Sequence, residues 1–254
     1  MRTTFFLIAL VMSYSSVFAD SLNYEGSSTV GKFITDATEH YTAVEFKINT
    51  ISESAGGEQC ALRQRCDMGG VARDVKQRYL EANIVPTLVG RDAIAVLVND
   101  KNPISGLTKQ QLKDVFSGKV TNWSELGGQD IPIKAYVVKA ASATRHVFAS
   151  IILGEEYYDN VKTIIPDAKI ASLVARQIGA IGQLSFAFIQ GKKGVKALSI
   201  EGQEASVDNS QYPITRPLYI VTKGEPNAKV KAFLDWAISE QGQAVVKQRF
   251  VGAY

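Results

Sequence analysis

The sequence is poor in the residue types on which most catalytic and metal sites depend. Its 254 residues include two histidines, His40 and His146, and two cysteines, Cys60 and Cys66. Neither histidine lies near the cysteines in sequence, so their spacing does not predict a zinc site. The chain also lacks a nucleophile elbow and an arrangement of Ser, His and Asp that would suggest a triad. We therefore expect no enzyme and no cofactor.

A strong net charge and long apolar segments are also missing. The formal net charge is +3, which is too small to predict binding to nucleic acid or to an anionic membrane. Beyond the N-terminus no stretch is apolar enough to cross a bilayer, and the sequence has no internal repeat. What remains is a chain with 46% hydrophobic residues, long enough for one large domain or two lobes.

The N-terminus has the pattern of an export signal. Arg2 precedes an apolar run at residues 5–12, and small residues lead up to Ala19. This predicts a signal peptide over residues 1–19, cleaved after Ala19, and a soluble periplasmic protein. Export allows a disulfide between Cys60 and Cys66, with two buried thiols as the alternative.

Predicted strands alternate with amphipathic helices along the chain, which indicates an α/β fold with mixed, mostly parallel sheets. Three strand-to-helix loops carry hydroxyl residues: Ser28 with Thr29, Ser54, and Ser142 with Thr144. The N-terminus of a helix has unpaired amides and attracts anions, and such loops gather at the carboxyl ends of parallel strands. The sequence therefore predicts an anion site.

The polar segment 99–103 separates the first two of these loops from the third and predicts a crossing between lobes. We expect the loops to face each other across a cleft that closes by a hinge. Ser28 or Thr29 is the predicted N-cap of the first helix. Lys139 and Arg145 add cations at the third loop, although each is equally consistent with a solvated surface charge.

In these motifs the chain resembles the phosphate-binding, two-lobed substrate-binding proteins of bacterial ABC importers. The resemblance runs from about Leu22 to Val251. Its ordered motifs are GSST at 26–29, SAGG at 54–57, DMG at 67–69, AR at 72–73, RDAIAVLVN at 91–99, FSGKVTNW at 116–123 and YPITRPLY at 212–219. It implies the type II periplasmic-binding-protein fold, with lobe I from residues 20–98 plus 190–254 and lobe II from residues 99–189.

The resemblance also implies a set of ligand-binding positions, in which loop hydroxyls, helix-start amides and an arginine hold the oxyanion. These positions are Ser28, Thr29, Val30, Ser54, Ala72, Arg73, Lys139, Ser142, Ala143, Thr144 and Arg145. Three of them depart from the family pattern. Ala143 stands in place of a glycine, Ala72 in place of Asp or Ser, and Lys139 follows Val138 where the family has an arginine.

The function implied by the resemblance is the capture of phosphate or a similar oxyanion. The expected partner is the permease of an ABC importer, and the protein is expected to be a monomer. The departures at Ala72 and Ala143 motivate an alternative, in which the same scaffold serves as a sensory or adhesive binding module with a weakened anion site.

Overall fold

The computed structural model describes residues 21–154, 157 and 161–253, so the predicted signal peptide lies outside the described residues. The strands are β1 (Ser21–Gly26), β2 (Glu45–Asn49), β3 (Met68–Val71), β4 (Ile84–Asn99), β5 (Gly106–Leu107), β6 (Lys134–Val138), β7 (Lys162–Ile164), β8 (Ala180–Ser185), β9 (Val195–Ala197), β10 (Ser199–Ile200), β11 (Thr215–Lys223) and β12 (Val251–Gly252). The helices are α1 (Ser28–Ala37), α2 (Glu53–Leu62), α3 (Gln77–Glu81), α4 (Lys109–Phe116), α5 (Ala143–Phe148), α6 (Lys169–Arg176), α7 (Ala228–Ile238) and α8 (Glu240–Val246).

The first lobe is built on the strand order β2-β1-β3-β11-β4. β1 pairs in parallel with β2 and β3, whereas β11 runs antiparallel to both β3 and β4. Helices α1, α7 and α8 pack on this sheet through an aromatic and aliphatic core that includes Phe33, Phe233 and Phe250. The predicted α/β class is confirmed, with antiparallel strands where the chain returns to the lobe.

The second lobe continues the same sheet through β4-β8-β6-β7. Its core contains Phe116, Trp123 and Phe148. Trp123 is 1% exposed, and its indole N–H donates a hydrogen bond to the carbonyl of Gly179 at 3.1 Å. Trp123 is thus a core residue, and its hydrogen bond connects the loop before β6 to the residue that precedes β8.

The chain crosses between the lobes within β4, a strand of 16 residues. Its first part pairs with β11 as far as Ala93 opposite Thr215, and its second part pairs with β8 from Ile94 onwards. The Ile94 amide also donates to the carbonyl of Ile214 at 2.8 Å. The lobes therefore meet near residues 93/94 and 214/215.

This division differs from the expected boundaries at 98/99 and 189/190. The polar segment 99–103 follows the crossing, because β4 changes its partner from β11 to β8 at Ala93/Ile94 and then continues to Asn99. After residue 190 the chain stays in the second lobe, where β9 pairs with β4 and β10 with β5. We propose residues 21–93 plus 215–253 as lobe I and residues 94–214 as lobe II.

Helices α4 and α6 both carry local sequence signals. Thr108 caps α4 and forms a capping box with Gln111. Helix α6 was not predicted, although its sequence carries a signal. Ile170, Ala171 and Val174 are buried at helical spacing on one side of it.

Cys60 and Cys66 form a disulfide, which confirms the predicted pairing. Cys60 lies near the end of α2, Cys66 precedes β3, and their Cα atoms are 5.7 Å apart. The bond therefore clips the end of α2 to the beginning of the strand on which this helix packs.

Replacing both cysteines, in a Cys60→Ala/Cys66→Ala variant, is expected to lower the free energy of unfolding by about 2 kcal/mol, because the closed loop is short. Urea denaturation of the oxidised protein and of the variant measures the difference. Reductant should destabilise the original protein by a similar amount and leave the variant unchanged. Equal stability of the two proteins would contradict a structural role for this bond.

Candidate functional site

The start of α1 forms the lobe I side of a gap between the lobes. β1 ends at Gly26, whose φ of +143° suits glycine, and a Cβ added there would lie 2.4 Å from the carbonyl oxygen of Gly70. This close approach places Ser27, whose hydroxyl oxygen accepts hydrogen bonds from the amides of Thr29 at 3.2 Å and Val30 at 3.3 Å.

Ser27 is therefore the N-cap, one residue before the predicted Ser28 or Thr29. Ser28 already has helical backbone, whereas Ser27 has a ψ of 128° and a side chain that accepts from two amides, as an N-cap does. Since Ser27 does the capping, the hydroxyls of Ser28 and Thr29 are left for other partners.

A buried ion pair lies where the chain crosses between the lobes. The guanidinium of Arg216 donates from Nε and Nη2 to Asp92 Oδ2 at 3.0 and 2.8 Å. Its Nη2 also donates to the hydroxyl oxygen of Thr29 at 2.9 Å, and Ser185 donates to Asp92 Oδ1 at 2.8 Å. Arg216 thus connects the start of α1 with β4 and β8.

The lobe II side of the gap is the loop between β6 and α5. Ser142, Ala143 and Thr144 are all buried, and Ala143 packs with the core of lobe I. Lys139 reaches across, because its Nζ donates to the carbonyl of Ile51 at 2.8 Å and lies 3.6 Å from Glu53 Oε1. The lobes are therefore closed on each other in this structure.

The carboxylate of Glu53 occupies the start of α1. Its Oε2 accepts hydrogen bonds from the amide of Ser28 at 3.1 Å and from the hydroxyl of Ser28 at 3.2 Å. Glu53 is 5% exposed. Burial raises the pKa of this carboxyl and nearby Asp167 adds to the rise, while the Ser28 amide and Lys139 oppose it.

Asp167 brings a second carboxylate to the gap from the loop before α6. It is 8% exposed, and its Oδ1 has no hydrogen-bond partner among the described residues. Burial raises the pKa of Asp167, and the Ser142 hydroxyl and Lys139 moderate this rise. A buried acceptor without a donor is costly. A hydrogen bond donated to this oxygen by a ligand or a water would therefore be favourable.

The structure gathers part of the predicted set around this gap. Ser28 and Lys139 meet at Glu53, Thr29 contacts Arg216, and Ser142 contacts Asp167. Ala143 and Thr144 are buried next to Ser142 at the start of α5, and Ser27 holds the Val30 amide. The remaining four positions have partners elsewhere.

Ser54, Ala72 and Arg73 make contacts within lobe I. The hydroxyl oxygen of Ser54 accepts from the Ala72 amide at 3.0 Å, and the guanidinium of Arg73 forms a two-pronged pair with Glu58 at 2.7 and 2.8 Å. Gly57 has a packing role as well, since a Cβ there would lie 2.4 Å from the carbonyl oxygen of Gly70. These contacts attach α2 to β3.

Arg145 makes its described contacts within lobe II. Its Nη1 donates to the carbonyl of Val138 at 3.3 Å and to the hydroxyl of Thr163 at 3.4 Å. Its guanidinium carbon also lies 4.6 Å from the ring centre of Tyr157, a cation–π geometry. The guanidinium that reaches the start of α1 is that of Arg216.

Sequence reasoning missed four residues of the site: Glu53, Asp92, Asp167 and Arg216. Two carried a signal, because Asp92 and Arg216 lie inside motifs on which the family resemblance rests. Glu53 directly precedes the predicted Ser54, but its direction depends on a backbone φ of +54°. Nothing in the local sequence singles out Asp167.

Two kinds of feature are absent from residues 21–154, 157 and 161–253. No three His, Cys, Asp or Glu side chains in these ranges are grouped to hold a metal ion. No helix there combines the length and apolarity needed to cross a membrane.

Comparison with known proteins supplies the context for this gap. A sequence model of the PBP superfamily domain matches residues 17–241. The phosphate-binding protein PstS of Bacillus subtilis is 31% identical over 233 residues, which cover 88% of this chain and 77% of the relative. The chain belongs to the phosphate-binding periplasmic substrate-binding protein family.

Solved structures of similar proteins agree with the fold. A phosphate ABC transporter substrate-binding protein from Clostridium perfringens, solved with bound phosphate, is 32% identical with a TM-score of 0.85 and covers 92% of this chain and 100% of its own. An ABC-type phosphate transport receptor from Vibrio cholerae shares the fold at 21% identity, with a TM-score of 0.74 and coverage of 91% and 99%. The type II periplasmic-binding-protein fold is thus confirmed.

Breaking the buried pair with Asp92→Asn is expected to lower the free energy of unfolding by about 3–5 kcal/mol, since it leaves the charge of Arg216 buried without a counterion. Asp235→Asn is the matched control, because Asp235 forms an exposed pair with Lys231 on α7 and should cost less than about 0.5 kcal/mol. Urea denaturation measures both. Similar costs for the two variants would contradict a structural role for the Asp92–Arg216 pair.

Asp167→Asn is expected to stabilise the ligand-free protein more at pH 7 than at pH 4. Burial raises the pKa of Asp167, so the folded state keeps the proton that the unfolded chain releases. The stability contributed by protonated Asp167 is therefore present below its ordinary pKa and is lost as pH rises through the raised value. Urea denaturation of both proteins between pH 4 and 7 tests this, and a difference independent of pH would contradict it.

Proposed function

We propose that the protein captures phosphate in the gap between its lobes and delivers it to an ABC importer. The observation that supports the proposal is that donor-bearing residues of both lobes lie close to the buried carboxylates of Glu53 and Asp167. Ser28 and Lys139 contact Glu53, the Ser142 hydroxyl contacts Asp167, and Arg216 contacts Thr29. Such donors match the oxygens of a compact oxyanion, and the membership of the family supports phosphate.

The proposed contacts divide between the lobes. From lobe I we assign the Ser28 and Thr29 hydroxyls, with Arg216 as the guanidinium. From lobe II we assign Lys139 and a group of loop residues. This group consists of the Ser142 hydroxyl, the Ala143 amide and the Thr144 amide and hydroxyl.

The wider setting follows the family. Members of this family are solute-binding proteins, and we propose that this chain likewise acts by binding rather than catalysis. We propose further that it is exported by residues 1–19, works in the periplasm as a monomer, and docks on the permease of an importer. Closure of the two lobes over the ligand would supply the shape that such a permease recognises.

Isothermal titration of unfolded, dialysed and refolded protein tests the proposal, since this treatment removes a ligand carried through purification. Phosphate should bind at one site per chain. Sulfate serves as the oxyanion that competes with phosphate for this site. Absence of binding to phosphate would reject the proposal and favour the alternative of a sensory or adhesive module on the same scaffold.

Thr144→Ala is expected to weaken phosphate binding by about 1.5–3 kcal/mol, because it removes a hydroxyl donor to a charged ligand. Thr38→Ala is the matched control, since Thr38 lies exposed at the end of α1 and its hydroxyl donates to the Thr35 carbonyl. Titration calorimetry compares the three proteins. Unchanged affinity in Thr144→Ala would remove this loop from the binding site.

Arg145→Ala is expected to weaken phosphate binding less than Lys139→Ala does. Lys139 spans the gap, whereas the contacts of Arg145 are with Val138, Thr163 and Tyr157. The same titrations rank the two variants. A larger loss for Arg145→Ala would return this guanidinium to the ligand site, as the family resemblance implies.

A further inference from the structure

The donors of Ser28 are already engaged by a carboxylate of the protein itself. Both its amide and its hydroxyl donate to Glu53 Oε2, at 3.1 and 3.2 Å, and Lys139 lies 3.6 Å from Glu53 Oε1. These groups form much of the donor set that an oxyanion at the start of α1 would use. A carboxylate oxygen in this position has the charge and the acceptor geometry of a ligand oxygen.

The backbone of Glu53 supports a specific placement of this side chain. Its φ of +54° lies in the left-handed region, which costs a residue other than glycine free energy relative to ordinary backbone. The neighbouring α2 and β3 hold the segment in place through Ser54, whose hydroxyl accepts from the Ala72 amide at 3.0 Å. The strained conformation is the one that directs Glu53 towards Ser28.

The charges around the gap determine how strongly Glu53 opposes the entry of an anion. Asp92 compensates Arg216 within their ion pair, so Lys139 faces two carboxylates, Glu53 and Asp167. With both ionised, a phosphate would enter a buried space that already carries excess negative charge. Like charges at short distance in a buried site repel strongly.

We propose that Glu53 is an internal competitor for the oxyanion, which binds only after the Glu53 carboxylate leaves the Ser28 donors or becomes protonated. The proposal rests on the proposed function and deepens it, because it makes Glu53 the residue that sets affinity and its pH dependence. Asp167 then remains the carboxylate whose unpaired Oδ1 can accept a hydrogen bond from a protonated ligand oxygen.

The test uses titration calorimetry of phosphate at pH 8 on the refolded full chain. Glu53→Ala should bind phosphate at least tenfold more tightly than the original protein, and Glu53→Gln should lie between the two. Glu25→Gln is the matched control, because Glu25 is a neighbouring lobe I carboxylate that accepts instead from the Ser52 hydroxyl at 2.8 Å. It should change affinity by less than about twofold if the effect comes from contact with Ser28 and not from net charge.

The outcomes distinguish a failure of the competition by Glu53 from a failure of the proposed phosphate capture. Tighter binding in both Glu53 variants, with Glu25→Gln unchanged, supports competition. Equal or weaker binding in the Glu53 variants overturns it and leaves phosphate capture intact, with Glu53 as a ligand contact or a structural residue. If neither the original protein nor any variant binds phosphate, it is the proposed function that fails.

A pH series gives a second readout. The groups facing Glu53 are Tyr24, Ser28, Lys139 and Asp167, and all are retained in Glu53→Gln. The titration of phosphate itself also cancels when the two proteins are compared. The affinity advantage of Glu53→Gln should therefore shrink as pH falls from 8 to 5, since protonation of Glu53 frees Ser28. An advantage that stays constant over this range would overturn the proposal.

Discussion

The buried pair of Arg216 and Asp92 is the constraint on which the two-lobed arrangement depends. It joins β11 to β4 at the point where both strands pass between the lobes. Further hydrogen bonds connect it to Thr29 on one side and to Ser185 on the other. A charge pair held this way fixes register more than it adds stability, because burying both ions offsets much of their attraction. The position of α1 relative to lobe II follows from it.

Capping explains how one helix start can be stable and still bind a ligand. Four amides at the start of α1 lack helical partners, and Ser27 satisfies those of Thr29 and Val30 within the chain. The amide and hydroxyl of Ser28 remain as the exchangeable donors, which Glu53 holds in the closed structure. Ser27 is thus the permanent cap of α1, and the adjacent Ser28 makes the contact that a ligand would replace.

The sequence predicts the elements of the site better than their directions. Strand-to-helix loops with hydroxyls predict Ser28, Thr29, Ser142 and Thr144 as site residues, because the period of the apolar residues and the capping preferences are local properties. The direction of Arg145 could not be predicted, since it depends on where β7 and Tyr157 pack.

The contributions of Glu53, Asp167 and Arg216 could not be predicted for a similar reason. They require a left-handed residue, a loop from a distant segment and a pairing of strands that are more than 120 residues apart in sequence. The lobe boundary that we propose differs from the expected one because β4 already pairs with β8 from Ile94 onwards, before the polar segment 99–103 begins.

The carboxylates near the start of α1 come from Glu53 and Asp167 and not from position 72. The family resemblance implies an Asp or Ser there, yet Ala72 is buried in the core of lobe I, and its amide donates to Ser54. Negative charge reaches the gap from Glu53 at the start of α2 and from Asp167 before α6 instead. A carboxylate on Glu53 contacts the α1 donors directly, which the methyl group of Ala72 cannot do. If Glu53 competes with the ligand for the Ser28 donors, as we propose, protonation of Glu53 becomes part of ligand capture.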